Sequence, residues 1–156
     1  MTNNRARKAE ARAHQAETGT RYVVALRETE PRALAEVMGE HPLLTYFGIG
    51  DFNAYQNTPE ERRAEVAAQR EELAAHEHGV AEVAAWLRQN IAPIKTPGIG
   101  SYGLKHLIEK QIGRYVSNGE AIAAALVAGY AFRYETPNVA FGMSRRDVNR
   151  LRTRSR

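Results

Sequence analysis

The sequence lacks cysteine, and no apolar stretch in it is long enough to cross a bilayer. Without cysteine there are no disulfide bonds and no thiolate zinc sites, which is typical of a reducing compartment. A membrane-spanning helix needs about 20 mostly apolar residues. The N-terminus also lacks the apolar core of a signal peptide. We therefore expect a cytoplasmic protein with no membrane partner.

Sequence signatures of catalysis are also missing. The glycines around Gly98-Ile99-Gly100 match neither the Walker A spacing nor the dinucleotide fingerprint. His76 and His78 are two residues apart, so on a helix they point to different faces, and no acidic or cysteine partner stands at ligand spacing. The sequence thus predicts no catalytic residue, no metal and no cofactor, and we expect a protein that is not an enzyme.

What the chain does contain favours helices. Its 156 residues suffice for one domain with a hydrophobic core. The apolar fraction is 43%, and it is rich in alanine, the strongest helix former. We predict an all-α fold in which residues 1–156 form a single domain, a compact bundle of six to seven short helices.

A helical hairpin over about residues 101–130 is predicted to be the centre of this bundle. Its first helix has apolar residues at three- and four-residue spacing and ends at Gly113. Ser117 and Glu120 form a capping box that starts the second helix. From Ala121 to Gly129 that helix is apolar on nearly every side, so we expect it to be the most buried element.

The remaining elements are less central. Thr58, Pro59 and Glu61 carry the signature of a helix start, and Ser144 with Asp147 forms another capping box that opens a terminal helix. Alanine-rich residues 3–16 predict a basic N-terminal helix. Three stretches are predicted to be non-helical: a buried, aromatic-lined loop, a proline- and glycine-rich loop, and an extended segment, over residues 41–57, 92–100 and 132–141.

Charge is unevenly distributed. The net charge is +4, yet residues 1–14 carry +3 and residues 144–156 carry +5, which leaves −4 on the body between them. Arginine pairs bidentately with phosphate, so the basic ends predict nucleic-acid binding. The candidate contacts are cations of the two ends: Arg145, Arg146, Arg150, Arg152, Arg154, Arg5, Arg7, Lys8 and Arg12. Two alternatives stay open, a solvated or frayed tail and a tail paired with the acidic helix 60–77 of its own or another subunit.

The start of the hairpin is the chain's densest group of chemically active side chains. We take Tyr102, Lys105, His106 and Asn118 as candidate ligand or partner contacts. One reading of this segment is general acid-base chemistry at His106, and another is a ligand or phosphate contact at the helix N-terminus. The reading we favour is structural: Lys105 pairs with Glu109, and the histidine bonds a loop carbonyl.

Two segments carry a resemblance to known proteins. The run SYGLKHLIEKQIGRYVSNGEAIAAALVAGY, with WLRQNI before it and PNVAFGMS after it, resembles uncharacterised proteins of phages, plasmids and integrative elements. The resemblance covers roughly residues 80–148 and implies a mobile-element origin, with no activity attached. ARAHQAETGTRYVVALR is similar to a segment common at the start of actinobacterial proteins, and the lysine-poor composition is typical of GC-rich bacterial or phage genomes.

From these features we expect a non-enzymatic nucleic-acid-binding or accessory protein of a bacterial mobile element or phage, with DNA or RNA as its partner. The alternative is a protein-interaction module, an inhibitor or adaptor of a host or phage machine. Its surface would be the charged 60–77 helix and the aromatic 43–55 loop. Assembly into a homo-oligomer stays open.

Overall fold

The computed structural model describes residues 5, 6, 8–10, 12, 13, 31–50 and 55–155. From residue 31 onward its elements are, in chain order, α1 (Leu34–Glu40), β1 (Leu44–Thr45), β2 (Gly48–Ile49), α2 (Pro59–Ala75), α3 (Glu77–Asn90), β3 (Ile99–Gly100), α4 (Ser101–Ile112), α5 (Asn118–Ala128), β4 (Phe132–Glu135), β5 (Asn138–Phe141) and α6 (Arg145–Arg154).

The fold is mixed, and the prediction of an all-α bundle is wrong. Helices dominate, but there are also two antiparallel sheets, one of two strands and one of three. The strands are two to four residues long, too short for the alternation of apolar and polar residues that reveals a strand in sequence. The sequence did indicate an extended segment at 132–141, but nothing in it identified a pairing partner.

The larger sheet has the strand order β3-β5-β4. Phe141 on the central strand lies opposite Ile99 on one side and Phe132 on the other. The smaller sheet is the β1–β2 hairpin, in which Leu44 lies opposite Ile49. The two sheets are joined where the amide of Ile49 donates to the carbonyl of Pro137 at 2.9 Å. The tips of the two hairpins are therefore held close together.

Helix α5 is the centre of the molecule, as the sequence predicts. All of its residues from Asn118 to Ala128 are buried, and α1, α3, α4 and strands of both sheets pack around it. Its alanines leave room for close neighbours. Gly119 is required for the same reason, because a Cβ there would lie 1.8 Å from the carbonyl oxygen of Thr45. The β1–β2 hairpin thus sits directly on the first turn of α5.

Three helix starts show how far the capping signals hold. At Thr58 both halves of the capping box form, with the Glu61 carboxylate accepting from the Thr58 amide. At Ser117 and Ser144 only the serine hydroxyl caps the helix. The Glu120 carboxylate bonds Arg114 instead, and Asp147 bonds the amide of Ala92. These two carboxylates connect distant segments, which local spacing does not reveal.

Helix α2 is mostly exposed, and it is joined to the body by the buried Leu73 and by the side chain of Arg70. The Arg70 guanidinium donates at 2.8 Å to three carbonyls, those of Met38, His41 and Leu44. Partial burial lowers the pKa of this arginine. The contact fixes α2 against the β1–β2 hairpin, and α2 in turn forms one wall of a cavity.

At the N-terminus, residues 5, 6, 8–10, 12 and 13 are helical and exposed. The rest of the predicted 3–16 helix lies outside the described residues, as does most of the segment similar to actinobacterial proteins. Within the described ranges, no helix has the length and apolarity required to span a bilayer.

Candidate functional site

The C-terminal arginines lie on a helix that is docked onto the body. Val148 and Leu151 are buried on the inner face of α6, and Met143 is fully buried just before it. The Ser144 amide donates to the carbonyl of Ala92, and the Asp147 carboxylate accepts from the Ala92 amide at 2.8 Å. Residues 144–155 therefore form an ordered element, which argues against a frayed tail.

The arginines of α6 are all exposed, but they differ in their partners. Arg145 donates to the carbonyl of Gly98, while Arg150 pairs with Asp147 at 3.0 Å and reaches the carbonyl of Asn90. Among the described residues, the other three have no carboxylate partner: Arg146, Arg152 and Arg154. None of the five pairs with the acidic helix 60–77 of the same chain within the described ranges.

Two of these arginines lie beside the start of α4. The Arg152 guanidinium is 3.4 Å from the point where a Cβ on Gly103 would lie, and Arg145 contacts Gly98. They are seven residues apart, so they share one face of α6 and are separated by about 10 Å along its axis. This face of the basic helix borders the first turn of α4, which also lines a cavity.

That cavity measures about 820 Å³, a size typical of small-molecule sites. It lies where α2, α4, the start of α5 and the tips of both hairpins meet. Its described lining residues are three aromatics, a proline and six polar side chains: Phe47, Tyr102, Tyr115, Pro137, Glu65, Gln69, Lys105, His106, Asn118 and Asn138. All four candidate ligand contacts from the sequence therefore line one cavity.

The three aromatic side chains of the cavity are unusually exposed. Tyr102 is 58% exposed, Tyr115 62% and Phe47 44%. Tyr102 packs edge-on against the ring of His106, with the ring centroids 4.8 Å apart. The Tyr115 ring lies over the Lys105 ammonium at 4.7 Å. Both tyrosines are thus held in place from one side while much of each ring stays open to solvent.

Lys105 is a structural cation. It is buried, and its ammonium donates to the Glu109 carboxylate at 2.8 Å and to the carbonyl of Val116 at 3.0 Å. The predicted Lys105–Glu109 pair is therefore present. The accompanying prediction for the histidine is wrong: His106 Nδ1 lies 3.0 Å from the same Glu109 carboxylate and not on a loop carbonyl.

Glu109 therefore bonds several residues of this cavity wall at once. Burial raises the pKa of its carboxyl, but the bonds from Lys105, the Val116 amide and His106 outweigh burial and hold the pKa below its usual value. A carboxylate on Nδ1 of a histidine orients the ring and leaves Nε2 to exchange protons. The described lining residues include no serine, threonine or cysteine for such a base to activate.

The inner end of the cavity is formed by two asparagines. Asn118 donates from Nδ2 to Asn138 Oδ1 at 3.0 Å and to the carbonyl of Phe47 at 3.4 Å. Its own Oδ1 is shielded from solvent and accepts no hydrogen bond from the described residues. Asn138 Nδ2 has no acceptor among them either, but it is open to solvent. The acceptor of this bonded pair is therefore enclosed, while its outer donor is accessible.

Sequence reasoning missed several lining residues. Phe47, Gln69, Tyr115 and Asn138 come from four different segments, and they meet only because both hairpins and α2 converge on α5. Of the basic N-terminal candidates, Arg5, Lys8 and Arg12 are exposed and helical, while Arg7 lies outside the described residues. Within the described part of the chain, no three acidic, histidine or cysteine side chains are grouped to hold a metal ion.

No protein-family profile matches the chain, and comparisons with curated proteins and with solved structures also give no match. The resemblance to proteins of mobile elements therefore stays a prediction.

Proposed function

We propose that this protein binds nucleic acid through the exposed arginine surface of α6 and is not an enzyme. One observation carries the proposal: five arginines project from a docked helix, and three of them have no carboxylate partner among the described residues. Guanidinium groups that project from a docked helix and are not neutralised suit a polyanion, because arginine pairs bidentately with phosphate.

The charge pattern supports the same conclusion. Residues 144–156 carry +5 and residues 1–14 carry +3, with −4 on the body between them, so a polyanion is attracted to the basic ends and repelled from the body. The hairpin itself does not read DNA in the manner of a helix-turn-helix, since its second helix is entirely buried. Contacts to phosphate rather than to base edges in a groove also imply weak sequence preference.

The test is fluorescence anisotropy with labelled DNA and RNA between about 50 and 200 mM salt. Each phosphate engaged on B-DNA contributes about 0.9 to the slope of log affinity against log salt. The variant Arg146→Gln/Arg152→Gln/Arg154→Gln should bind more weakly and lower the slope by up to about 2 to 3. Substitution is preferable to truncation, because removing α6 would also remove the buried Val148 and Leu151.

A matched control removes the same charge elsewhere. Arg62→Gln/Arg63→Gln/Arg133→Gln also deletes three cations, from α2 and β4, and should leave most of the slope intact. Equal loss in the two variants would mean that net charge alone drives binding. No binding by wild type at about 50 mM salt, where phosphate contacts are strongest, would overturn the proposal.

A protein-interaction module is the second candidate, and one observation favours it. Leu43 is 55% exposed, and it lines a shallow cavity of about 370 Å³ with Pro59, Arg62, Arg63 and Val66. An apolar side chain ringed by arginines is typical of a protein interface. This candidate becomes the better one if wild type binds no nucleic acid, and it predicts a partner whose affinity depends only weakly on salt.

A further inference from the structure

The proposed function leaves the cavity beside α4 unexplained. Its aromatic rings are exposed, Asn138 Nδ2 has no acceptor among the described residues, and α4, which forms one wall, also lies beside Arg152 of α6. We propose that this cavity holds an unpaired nucleobase of a single-stranded nucleic acid whose phosphates run along α6. The inference rests on the proposed function, since it specifies the form of nucleic acid that the same surface takes.

The charge of the cavity identifies which part of a nucleotide belongs there. Lys105 and Glu65 have opposite charges, and the Lys105 ammonium is already bonded to Glu109 and to the carbonyl of Val116. The described lining has no lysine or arginine left to bind a phosphate. Phosphate groups therefore belong on α6, and the cavity suits an uncharged, planar group.

The side chains fit a base in two respects. The open faces of Tyr102, Tyr115 and Phe47 provide stacking surfaces for a planar ring, the usual means of binding single strands. On the same wall, Asn138 Nδ2 lacks an acceptor among the described residues and, unlike Asn118 Oδ1, is open to solvent. Nucleobase edges present adjacent donors and acceptors, and asparagine is a common partner for them.

The position of α6 connects the two halves of the site. Arg152 lies against Gly103 of α4. In the turn that follows Gly103, Leu104 is buried in the core and His106 lines the cavity. Tyr102, on the other side of Gly103, also lines the cavity. A strand whose phosphates contact Arg152 therefore has a base within reach of Tyr102. In a duplex the bases are paired and stacked, so they cannot enter a side cavity.

The experiment compares three ligands of equal length: a single-stranded oligonucleotide, the same backbone without bases, and a duplex. The variant is Tyr102→Ala/Tyr115→Ala, in which both residues are exposed enough for the fold to persist, as a thermal melt would check. The matched control is Tyr55→Ala, because Tyr55 is fully exposed and does not line the cavity. Binding is measured by anisotropy at about 50 mM salt.

Wild type should bind the single strand more tightly than the abasic strand or the duplex. The double tyrosine variant should weaken binding of the single strand by roughly tenfold or more, and leave binding of the abasic strand unchanged. Tyr55→Ala should match wild type on all three ligands.

The two proposals fail in different ways. If wild type binds all three ligands equally, or the double variant binds the single strand as wild type does, the base site is wrong while the α6 surface stands. If the double variant loses the single strand and the abasic strand alike, the tyrosines do not act on the base, and the inference also fails. If wild type binds none of the ligands, both proposals fall.

Discussion

The hairpin α4–α5 and the terminal helix α6 both carry several charged side chains. Several of those in the hairpin form ion pairs, whereas three arginines on α6 form none with the residues that the structure describes. In the hairpin α4–α5, Lys105 pairs with Glu109, and Arg114 pairs with the fully buried Glu120 at 2.7 Å. On α6, by contrast, Arg146, Arg152 and Arg154 are exposed and have no carboxylate partner among the described residues. Charges of the first kind join segments of the fold, while those of the second kind are available to a partner.

The physical basis of this difference is solvation. A carboxylate that loses water must be compensated by a cation and by hydrogen bonds, so removing either partner destabilises the fold. An exposed guanidinium keeps its water and contributes little to stability. Side chains of the same formal charge should therefore respond to substitution in distinct ways, and three experiments examine this.

The largest effect is expected at Glu120. The carboxylate is 1% exposed and accepts from Arg114, and this bond raises the pKa of the guanidinium. Glu120→Ala leaves a gap in the core and removes the buried partner of a half-exposed arginine. We expect a loss of about 2–4 kcal/mol in the free energy of unfolding, measured by urea denaturation at neutral pH.

Arg114 itself supplies the control. The same guanidinium also bonds Glu82 at 2.9 Å, and that glutamate side chain is 48% exposed. Glu82→Gln should cost no more than about 1 kcal/mol, because a solvated pair contributes little. Equal losses in the two variants would show that burial of the carboxylate does not determine its contribution.

An intermediate effect is expected at Glu109 as the pH falls. Its three hydrogen bonds hold the pKa below the usual 4.5 despite burial. In acid the unfolded chain therefore takes up this proton before the folded chain does, so the carboxylate stabilises the fold at neutral pH and loses that contribution as pH falls below about 4.5. Wild type should lose melting temperature more steeply below this pH than Glu109→Gln does.

The comparison of Glu109→Gln with wild type has a clear contrary result. The melting temperatures should differ most near neutral pH and converge as the pH falls through the lowered pKa of the folded state, where the carboxyl becomes protonated in both states. Parallel curves over the whole range would mean that the folded and unfolded chains hold this proton equally. The Glu109 carboxylate would then not stabilise the fold in the way that its contacts with Lys105 and His106 indicate.

The helical hairpin could be predicted because its signals are local. Gly113 and Gly129 adopt positive φ angles of 80° and 94°, as helix-ending glycines do, and α5 is buried on every side. Apolar periodicity and helix-ending glycines act within one or two turns of chain, so they can be read from neighbouring residues. Leu126, within the segment that the sequence predicts to be most buried, is 4% exposed.

The sheets and the cavity could not be predicted because they depend on distant pairs. Strands of two residues, such as β3, exist only through a partner some 40 positions away, here Phe141 and Ala140. The partner of Glu120 was missed for a similar reason: the capping-box spacing with Ser117 is a local rule, while Arg114 approaches it through the fold. The predicted residues of the cavity lie on α4 and at the start of α5, while its remaining wall comes from four other segments.

The variant that should weaken nucleic-acid binding most is expected to change the stability of the fold least. The variant Arg146→Gln/Arg152→Gln/Arg154→Gln removes three charges from the docked helix but none of its anchors. Val148 and Leu151 stay buried, and Asp147 still accepts from the Ala92 amide. Arg145 and Arg150 are left in place because they bond carbonyls of the body.

Two small contributions decide the sign of this change. Cations in the last turn of a helix interact favourably with its dipole, so losing Arg152 and Arg154 costs a few tenths of a kcal/mol each. Relief of repulsion among neighbouring arginines acts in the opposite direction. We expect the free energy of unfolding to stay within about 1 kcal/mol of wild type, as is usual for surface substitutions. This free energy is measured by urea denaturation of the same protein that is used for binding.

A loss as large as that of Glu120→Ala would show that these arginines are structural after all. An unchanged stability combined with lost binding would separate the two kinds of charge, because the same substitutions would then remove a function without weakening the fold.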